Sequence, residues 1–397
     1  MKDFDIIKAA RAAEAELIAV RRDLHRIPEY GDTLPATRAY VCAYLDRIGV
    51  PYRITEGGDG VIAEITGGHP GKTVGLRADM DALNITEETD VPFCSETRGR
   101  MHGCGHDAHT AILLLTARIL NESKENLTGN VRFLFQSGEE TGTGAKLMLA
   151  SGALDGLGAL FALHVGDLAG DALDAGELAI LPGYVSAGKI KFTLTVKGKG
   201  THSAFPERGI DPIPIAARIA LGCEELVARE IPAGTAAIIS FGSLHAGEDH
   251  NTIPDIAVLR GSIRCQDDAV RAFLGERVKA VAEQIAAAYR ASCDVELKVG
   301  SPSVRNDEGM AAFAARAVAS VLADKVRDRL PRPLMASDDF ANYAARIPAV
   351  YFMLHTNNRK KGITAPNHSP LFDIDESVLW EGVAAYLAIA MSFSHDT

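Results

Sequence analysis

The chain has 397 residues, of which 47% are hydrophobic and 23% charged, and its formal net charge at pH 7 is -11. This length predicts two domains, and the large apolar share excludes a disordered chain. The net negative charge and the scattered lysines and arginines argue against a nucleic-acid partner. No apolar run reaches the ~20 residues of a membrane helix, and the N-terminal segment lacks the apolar stretch of a signal peptide. Six widely spaced cysteines favour a reducing compartment, so we expect a cytoplasmic protein.

Short apolar strands alternate with helices in two parts of the chain. This alternation is typical of βαβ units on a largely parallel sheet. In the first part we predict strands at 73–77, 131–135 and 159–163 and helices at 109–120 and 144–150. Near the end of the chain we predict helix 308–322, strand 349–354 and helix 377–393. The two parts together predict one layered domain.

The middle of the chain has a different order of elements. We predict strand 189–196, a helix from Pro212, strands 236–241 and 256–263, helix 268–291 and strand 293–299. The order strand, helix, strand, strand, helix, strand is the ferredoxin-like arrangement. The expected fold class is therefore α/β, with a mixed, largely parallel sheet and flanking helices in a discontinuous domain of residues 1–186 and 300–397. An inserted ferredoxin-like α+β domain of residues 187–299 would interrupt it.

Residues with metal-binding chemistry cluster in two segments. MHGCGHDAHT places Cys104, His106 and His109 just before and at the start of a helix. Thiolate and imidazole are strong zinc ligands, and three such residues within six positions favour a metal site over a buried cysteine and surface histidines. Glu139 and Glu140 follow the apolar strand VRFLF. Adjacent side chains point in different directions at a strand's end, so one carboxylate can bind metal while the other acts as a general base.

Two further histidines are candidate ligands. His164 ends the apolar strand ALFAL, and open α/β sheets bind ligands at the carboxyl ends of their strands. His368 lies in the loop ITAPNHSPLFD, where a histidine considered alone is more often an exposed surface residue.

Ordered motifs along nearly the whole chain resemble those of the M20 metallopeptidase family. The resemblance is to its amidohydrolase branch of aminoacylases, hippurate hydrolases and plant auxin-conjugate hydrolases. The motifs are RRDLHRIPE, LRADMDAL, MHGCGHDAHT, the Glu-Glu pair, LHVG, GKGTHSAFPE, NTIPD, GSIRC, SDDF and NHSP. The resemblance implies two divalent metal ions held by Cys104, His106, Glu140, His164 and His368. Zinc, cobalt and nickel suit such a donor set, and manganese would suit it if the site is rich in oxygen ligands.

The resemblance also implies a reaction. It would be hydrolysis of the amide bond of N-acyl amino acids to a carboxylic acid and a free amino acid, with Glu139 as general base on a metal-bound water. His202 would reach the active site of a neighbouring subunit and stabilise the oxyanion, while Asn251 and Arg264 would bind the substrate's carboxylate. In the family the inserted domain serves for dimerisation or as a lid. We therefore expect a homodimer or a higher homo-oligomer.

The chain departs from the usual pattern of this branch at three places. Asn84 stands where a proline is usual, Gln136-Ser137-Gly138 replaces a Gln-Pro-Ala sequence, and Asp338 replaces a glutamate. None of these changes removes a predicted ligand or the base. We therefore expect them to influence substrate preference more than activity. Asp79 and Asp81 match a region that supplies metal ligands in other M20 branches, and here we expect them to support the site. His25, His102 and His109 are expected to be supporting or structural residues.

Other functions remain open on the sequence alone. A dipeptidase or a deacetylase of the N-acetyl-diaminopimelate type would use the same site on a different substrate. A catalytically silent metal-binding protein is less compatible with an intact Glu139. A thiol redox protein based on Cys104 would lack a nearby resolving cysteine.

Overall fold

The computed structural model describes residues 4–167, 173–330 and 332–396. The chain divides into two compact units. The larger unit comprises Met1–Val185, Val304–Leu334 and Asp338–Thr397, and the smaller unit comprises Ser186–Ser303 and Met335–Ser337.

Helices and strands are numbered in chain order. The helices are α1 Ile6–Ala12, α2 Glu14–Arg26, α3 Pro35–Ile48, α4 His106–Glu122, α5 Gly144–Ala150, α6 Pro212–Arg229, α7 Asp268–Ala288, α8 Glu308–Ala319, α9 Ala341–Ala344 and α10 Leu379–Asp396. The strands are β1 Tyr52–Ile54, β2 Val61–Thr66, β3 His69–Asp79, β4 Thr128–Gln136, β5 Leu157–Gly166, β6 Leu178–Ala179, β7 Gly183–Tyr184, β8 Gly188–Lys197, β9 Thr201–His202, β10 Ala237–Ala246, β11 Thr252–Ile253, β12 Ile256–Cys265, β13 Ser292–Val299, β14 Arg305–Asn306, β15 Val326–Arg327 and β16 Ala349–His355. Among the described helices, none combines the length and the apolarity that a membrane span requires.

The larger unit is built on a mixed eight-stranded sheet. Its strand order is β1–β2–β4–β3–β5–β16–β6–β15. The central strands β4, β3, β5 and β16 are parallel to one another, whereas β1/β2, β2/β4 and β16/β6 pair in antiparallel fashion. The prediction of an α/β domain with a largely parallel central sheet is confirmed. The antiparallel edge formed by β1 and β2 was not predicted.

The register of the central strands brings their carboxyl ends to one edge of the sheet. Asp79 on β3 lies opposite Gln136 on β4, and His355 on β16 lies opposite Gly166 on β5. Loops that follow these strands therefore meet at this edge, where open α/β sheets bind ligands.

Helices cover the sheet and bury its apolar side chains. Helix α4 contacts β3, β5, α2 and α10, and the side chains of Ile112, Leu113, Leu114 and Leu115 are all fully buried. A helix that is apolar on every side in this way is one enclosed by other elements. Helix α4 begins three residues before the predicted start at 109, so His106 lies in its first turn.

The smaller unit has a four-stranded antiparallel sheet of strand order β10–β12–β8–β13. Helices α6 and α7 contact each other and the sheet, with Ile219, Leu259 and Leu274 in the buried core. Helix α7 ends at Ala288 and not at 291, because Arg290 takes a left-handed backbone conformation with φ 64°.

Candidate metal centre

The candidate ligands come from segments that begin or end at the carboxyl edge of the larger unit's sheet. His164 lies near the end of β5, and Glu139 and Glu140 follow β4. His106 opens α4, with Cys104 two residues before it. Neighbouring parallel strands thus bring together residues that are far apart in sequence.

One group of possible ligand atoms is formed by Cys104, His106 and His164. Their ligand atoms lie within 4.8 Å of one another, and Cys104 Sγ is 3.5 Å from His164 Nε2. All three residues are buried, with exposed fractions of 8%, 1% and 5%. This combination of one thiol and two imidazoles is a donor set typical of zinc and related metals.

A second group is formed by Cys104, Glu140 and His368, again with ligand atoms within 4.8 Å of one another. His368 Nε2 is 3.4 Å from Glu140 Oε1, although 53% of the histidine side chain is exposed. The backbone N–H of His368 donates to the Gly103 carbonyl at 2.7 Å. The structure therefore brings all five predicted ligands together, and Cys104 belongs to both groups.

Asp81 organises the segment that carries the two glutamates. Its carboxylate oxygens accept hydrogen bonds from the backbone N–H of Glu139 at 2.9 Å and of Glu140 at 3.1 Å. The carbonyl of Asp81 lies 2.7 Å from His106 Nδ1. Because a carbonyl only accepts, His106 Nδ1 carries the proton and Nε2 is left as a metal-binding lone pair. This geometry agrees with the supporting role predicted for Asp81.

Gly105 allows the close approach between the start of α4 and β5. Its φ of 87° is in the left-handed region. A Cβ at this position would lie 2.4 Å from Val165 Cγ2. Any side chain here would push apart the segments that carry Cys104 and His164.

The carboxylates and histidines perturb one another's protonation. Burial alone would raise the pKa of Glu140, but the nearby imidazole of His368 and the charge of His106 outweigh it and lower that pKa. Contacts first with Cys104 and then with Glu140 raise the pKa of His368 to about 10. Burial, followed by the charges of Asp338 and Glu140, raises the pKa of Glu139 well above its ordinary value. These shifts belong to the metal-free protein, since a bound cation competes with protons for the same atoms.

A buried hydrogen-bonded chain lies behind the ligands. Arg77 Nη1 donates to Asp79 Oδ2 at 2.7 Å, and Asp79 Oδ1 is 2.5 Å from His109 Nδ1. His109 Nε2 accepts from the Val165 backbone N–H at 2.8 Å. Both nitrogens of His109 are engaged, which fits the supporting role expected for His109 and Asp79.

Asn367 is a residue of this site that our reading of the sequence overlooked. Its Nδ2 donates to the carbonyls of Cys104 and Val165, both at 3.3 Å, and its Oδ1 accepts from the Asp167 backbone N–H at 3.0 Å. It therefore ties the loop of His368 to the loops of two other candidate ligands. The available signal was its place directly before His368 in NHSP.

The other residues expected to be structural are buried in a second polar cluster. His25 Nδ1 lies 2.7 Å and Arg21 Nε lies 2.8 Å from Asp107 Oδ2. Burial lowers the pKa of His102 to about 3, so its imidazole is neutral at pH 7.

The departures from the family pattern lie outside the ligand groups. Asn84 is exposed. Asp338 is buried, and its Oδ1 accepts from the Phe340 backbone N–H at 2.7 Å and from Arg77 Nη2 at 3.4 Å.

The remaining predicted site residues lie in the smaller unit. His202 is exposed on β9, and its Nδ1 accepts from the Ala204 backbone N–H at 3.1 Å. Asn251 is exposed next to β11, and its carbonyl accepts from the Ser203 N–H at 2.9 Å. Arg264 is half-buried on β12, where Nη1 donates to the Met335 carbonyl at 2.8 Å. The β9/β11 pairing brings His202 and Asn251 into neighbouring positions.

The residues of the two ligand groups fit a bound cation. Two of their buried atoms, His106 Nε2 and Glu140 Oε1, have no hydrogen-bond partner among the described residues. They lie 4.0 Å apart, and buried polar atoms that lack a partner are costly. A metal ion would satisfy both.

Comparison with known proteins agrees with this chemistry. Residues 75–392 match the model of Peptidase family M20/M25/M40. Thermostable carboxypeptidase 1 of Saccharolobus solfataricus is 35% identical over 97% of this chain and 97% of its own length. The N-acetyl-L-cysteine deacetylase of Bacillus subtilis is 36% identical over 92% of this chain and 85% of its own length.

A crystal structure of a dinuclear metal-binding peptidase of the M20 family from Bacillus subtilis superimposes with a TM-score of 0.83. Its sequence is 33% identical, and the match covers 98% of this chain and 100% of that one. The relatives match the amidohydrolase branch, and the fold is that of this dinuclear metal-binding peptidase. The chain therefore belongs to peptidase family M20/M25/M40 and is an amidohydrolase-type enzyme of that family.

Proposed function

We propose that this enzyme hydrolyses the amide bond of N-acyl amino acids and releases a carboxylic acid and a free amino acid. The observation that carries the proposal is the pairing of Glu139 with Glu140. Glu140 lies within 4.8 Å of the ligand atoms of Cys104 and His368, and the carboxylates of Glu139 and Glu140 both lie within 4.8 Å of His106. Asp81 accepts hydrogen bonds from both backbone N–H groups. A metal ligand and a general base in fixed relation are what hydrolysis of an unactivated amide requires.

Two divalent cations, of zinc, manganese, cobalt or nickel, would be held by Cys104, His106, Glu140, His164 and His368. Cys104 would contribute to both positions, since it belongs to both ligand groups. When bound, the cations polarise the scissile carbonyl and lower the pKa of the attacking water.

Glu139 would take the proton from the attacking water and later give it to the leaving amine. The backbone N–H of Asp339 donates to Glu139 Oε1 at 3.2 Å, which orients the carboxylate.

The smaller unit would complete the enzyme. We propose that residues 187–299 form a ferredoxin-like domain for dimerisation or for closure as a lid, and that residues 1–186 and 300–397 form the catalytic domain. The strand order β10–β12–β8–β13 is compatible with a ferredoxin-like sheet. In a cytoplasmic homodimer, His202 of one subunit would stabilise the oxyanion in the other, and Asn251 and Arg264 would bind the substrate's carboxylate.

Two substitutions at neighbouring positions test the proposal. Glu139→Gln keeps the size of the side chain and its acceptor for the Asp339 N–H, so we expect it to retain bound metal while kcat falls by about 10²–10⁴-fold. Glu140→Gln is the matched control, and we expect it to lose metal as well as activity. Turnover and metal content would be measured on the same preparations. Near-normal turnover of metal-loaded Glu139→Gln would show that Glu139 is not the base.

A second candidate function is peptide hydrolysis, because one of the relatives is named a carboxypeptidase. A panel of N-acetyl and N-benzoyl amino acids and dipeptides separates the two. A kcat/KM at least ~10-fold higher for the N-acyl amino acids supports our proposal, and the reverse preference supports a dipeptidase.

A further inference from the structure

The Asn367 side chain contacts parts of both candidate ligand groups. Its Nδ2 donates to the backbone carbonyls of Cys104 and Val165, both at 3.3 Å, and lies 3.9 Å from Cys104 Sγ. Its Oδ1 accepts from the Asp167 backbone N–H at 3.0 Å, which fixes the orientation of the amide. Cys104 belongs to both groups, and His368, which follows Asn367 in the chain, belongs to the second.

The Val165 carbonyl also orients a ligand of the first group. It lies 2.7 Å from His164 Nδ1, and because a carbonyl only accepts, this nitrogen carries the proton. His164 Nε2 is then left as the metal-binding atom, 3.5 Å from Cys104 Sγ. Asn367 therefore donates to the same carbonyl that holds the His164 imidazole in place.

The two ligand groups differ in how firmly the surrounding protein holds them. The residues of the first group are buried, whereas 53% of the His368 side chain is exposed. His368 also has a φ of 69°, in the left-handed region that a residue with a Cβ rarely adopts. Such a conformation persists only where neighbouring contacts impose it. The hydrogen bond from its own N–H to the Gly103 carbonyl and the anchored side chain of Asn367 supply such contacts.

Asn367 also packs closely against a glycine at the end of β5. Gly166 has a φ of 121°, and a Cβ at this position would lie 2.2 Å from Asn367 Oδ1. The amide therefore lies directly on the backbone of the strand that carries His164. Removing a side chain held this closely would release the His368 loop from that strand.

We propose that Asn367 is a positioning residue for the second metal position, which it fixes to the loops that form the first. The inference rests on the proposed set of five ligands. With Asn367 in place, the segments of Cys104 and His164 hold His368 in its strained conformation. Without Asn367, the buried first position would remain intact, and the exposed His368 would relax away from the second.

Stepwise titration of the metal-free enzyme tests this role without an activity assay. Cys104 is shared by both groups, so each Co²⁺ that binds its thiolate adds a thiolate-to-cobalt absorption, and calorimetry with Zn²⁺ gives the affinity of each step. Asn367→Ala removes the amide. Asn367→Asp keeps its size and its acceptor for the Asp167 N–H but removes the donor. We expect both variants to bind the first equivalent normally and the second about 10–100-fold more weakly.

Two further variants serve as controls. Asn121, near the C-terminal end of α4, makes the same kind of contact, since its Nδ2 donates to the Ile48 carbonyl at 2.7 Å. It lies about 22 Å from His106 along this helix. Asn121→Asp should therefore leave both binding steps unchanged. His368→Gln removes a ligand of the second group and should abolish the second step alone, which identifies that step.

The possible outcomes separate the inference from the ligand set on which it rests. An unchanged second step in Asn367→Ala, or a normal one in Asn367→Asp, would overturn the role of the donated hydrogen bonds. Equal weakening of both steps would also overturn it, as would a large loss of thermal stability in the metal-free variants, because Asn367 would then be a general structural residue. If the unmodified enzyme binds fewer than two equivalents, or if His368→Gln still binds two, the proposed ligand set is wrong and the inference falls with it.

Discussion

Replacing Arg77 by methionine should destabilise the larger unit and reduce activity together. The guanidinium is only 1% exposed, and it donates to Asp79 Oδ2 at 2.7 Å, to Gln136 Oε1 at 3.0 Å and to Asp339 Oδ1 at 3.1 Å. Methionine fills a similar volume without donors or charge. The carboxylates would then lie buried without their cation.

The magnitude follows from this burial. Removing one partner of a buried ion pair costs about 3–5 kcal/mol, because the remaining charge is left uncompensated. For a unit of this size, such a loss lowers the melting temperature by about 6–20 °C. Activity should also fall, since the Asp339 backbone N–H that orients Glu139 belongs to the same network.

Calorimetry and steady-state kinetics on the same samples would measure both effects. Arg77→Lys retains the charge but loses the planar fork, and we expect an intermediate loss of stability. Arg305→Met is the surface control, since Arg305 and Glu308 form an exposed ion pair and such pairs contribute little. A loss below ~1 kcal/mol in Arg77→Met would refute the view that Arg77 compensates this buried acidic cluster.

Two further substitutions test the packing of the centre and the pH dependence of stability. Gly105→Ala should weaken metal binding by about 10–100-fold, because its Cβ would clash with Val165. Gly156→Ala is the control, since Gly156 also has a positive φ but has open space around its Cβ, and it should leave metal binding unchanged. Isothermal titration with zinc compares the two variants, and equal zinc affinities would show that the clash with Val165 does not matter for metal binding. Burial raises the pKa of Glu381 to about 7, so the folded state retains this proton when the unfolded state has lost it. Stability therefore falls as pH rises from about 4.5 to about 7, and Glu381→Gln should be more stable than the unmodified protein by about 1 kcal/mol above pH 7, after allowance for solvent screening. Denaturant unfolding at pH 5 and pH 8 measures this, and an equal difference at both pH values would show that the proton is not the cause.

The sequence predicts the central sheet well because its strands are nearly continuous apolar runs. VRFLF and ALFAL are recognisable at once, and the structure extends both by one to three residues at each end, to Thr128–Gln136 and Leu157–Gly166. The short strands are harder to find. Strands β6 and β15 have two residues each, and such strands depend on pairing with distant segments and not on a local pattern.

Within the candidate site, the types of the residues in the sequence predicted the metal ligands, but the sequence did not predict which residues hydrogen-bond to one another. A cluster of thiol, imidazole and carboxylate groups in a sequence indicates a metal site. Asp81, by contrast, matters because two backbone N–H groups 58 and 59 residues away donate to its carboxylate. Asn367 likewise acts through carbonyls of distant loops. No local pattern encodes such contacts, because they exist only after the chain has folded.

The ligand groups also have a consequence for the order in which the protein matures. Cys104, His106, Glu140 and His164 are synthesised early, and the whole smaller unit then follows before His368 leaves the ribosome. A nascent chain can therefore assemble the first group, Cys104, His106 and His164, from contiguous sequence, but it cannot complete the second group. Closing that long loop through His368 costs chain entropy that grows only slowly with loop length, so the interval delays the second group without making it much less stable. With the proposed ligand set, loading of the second position would be tied to completion of the chain, and the centre would become dinuclear only in an almost fully synthesised enzyme.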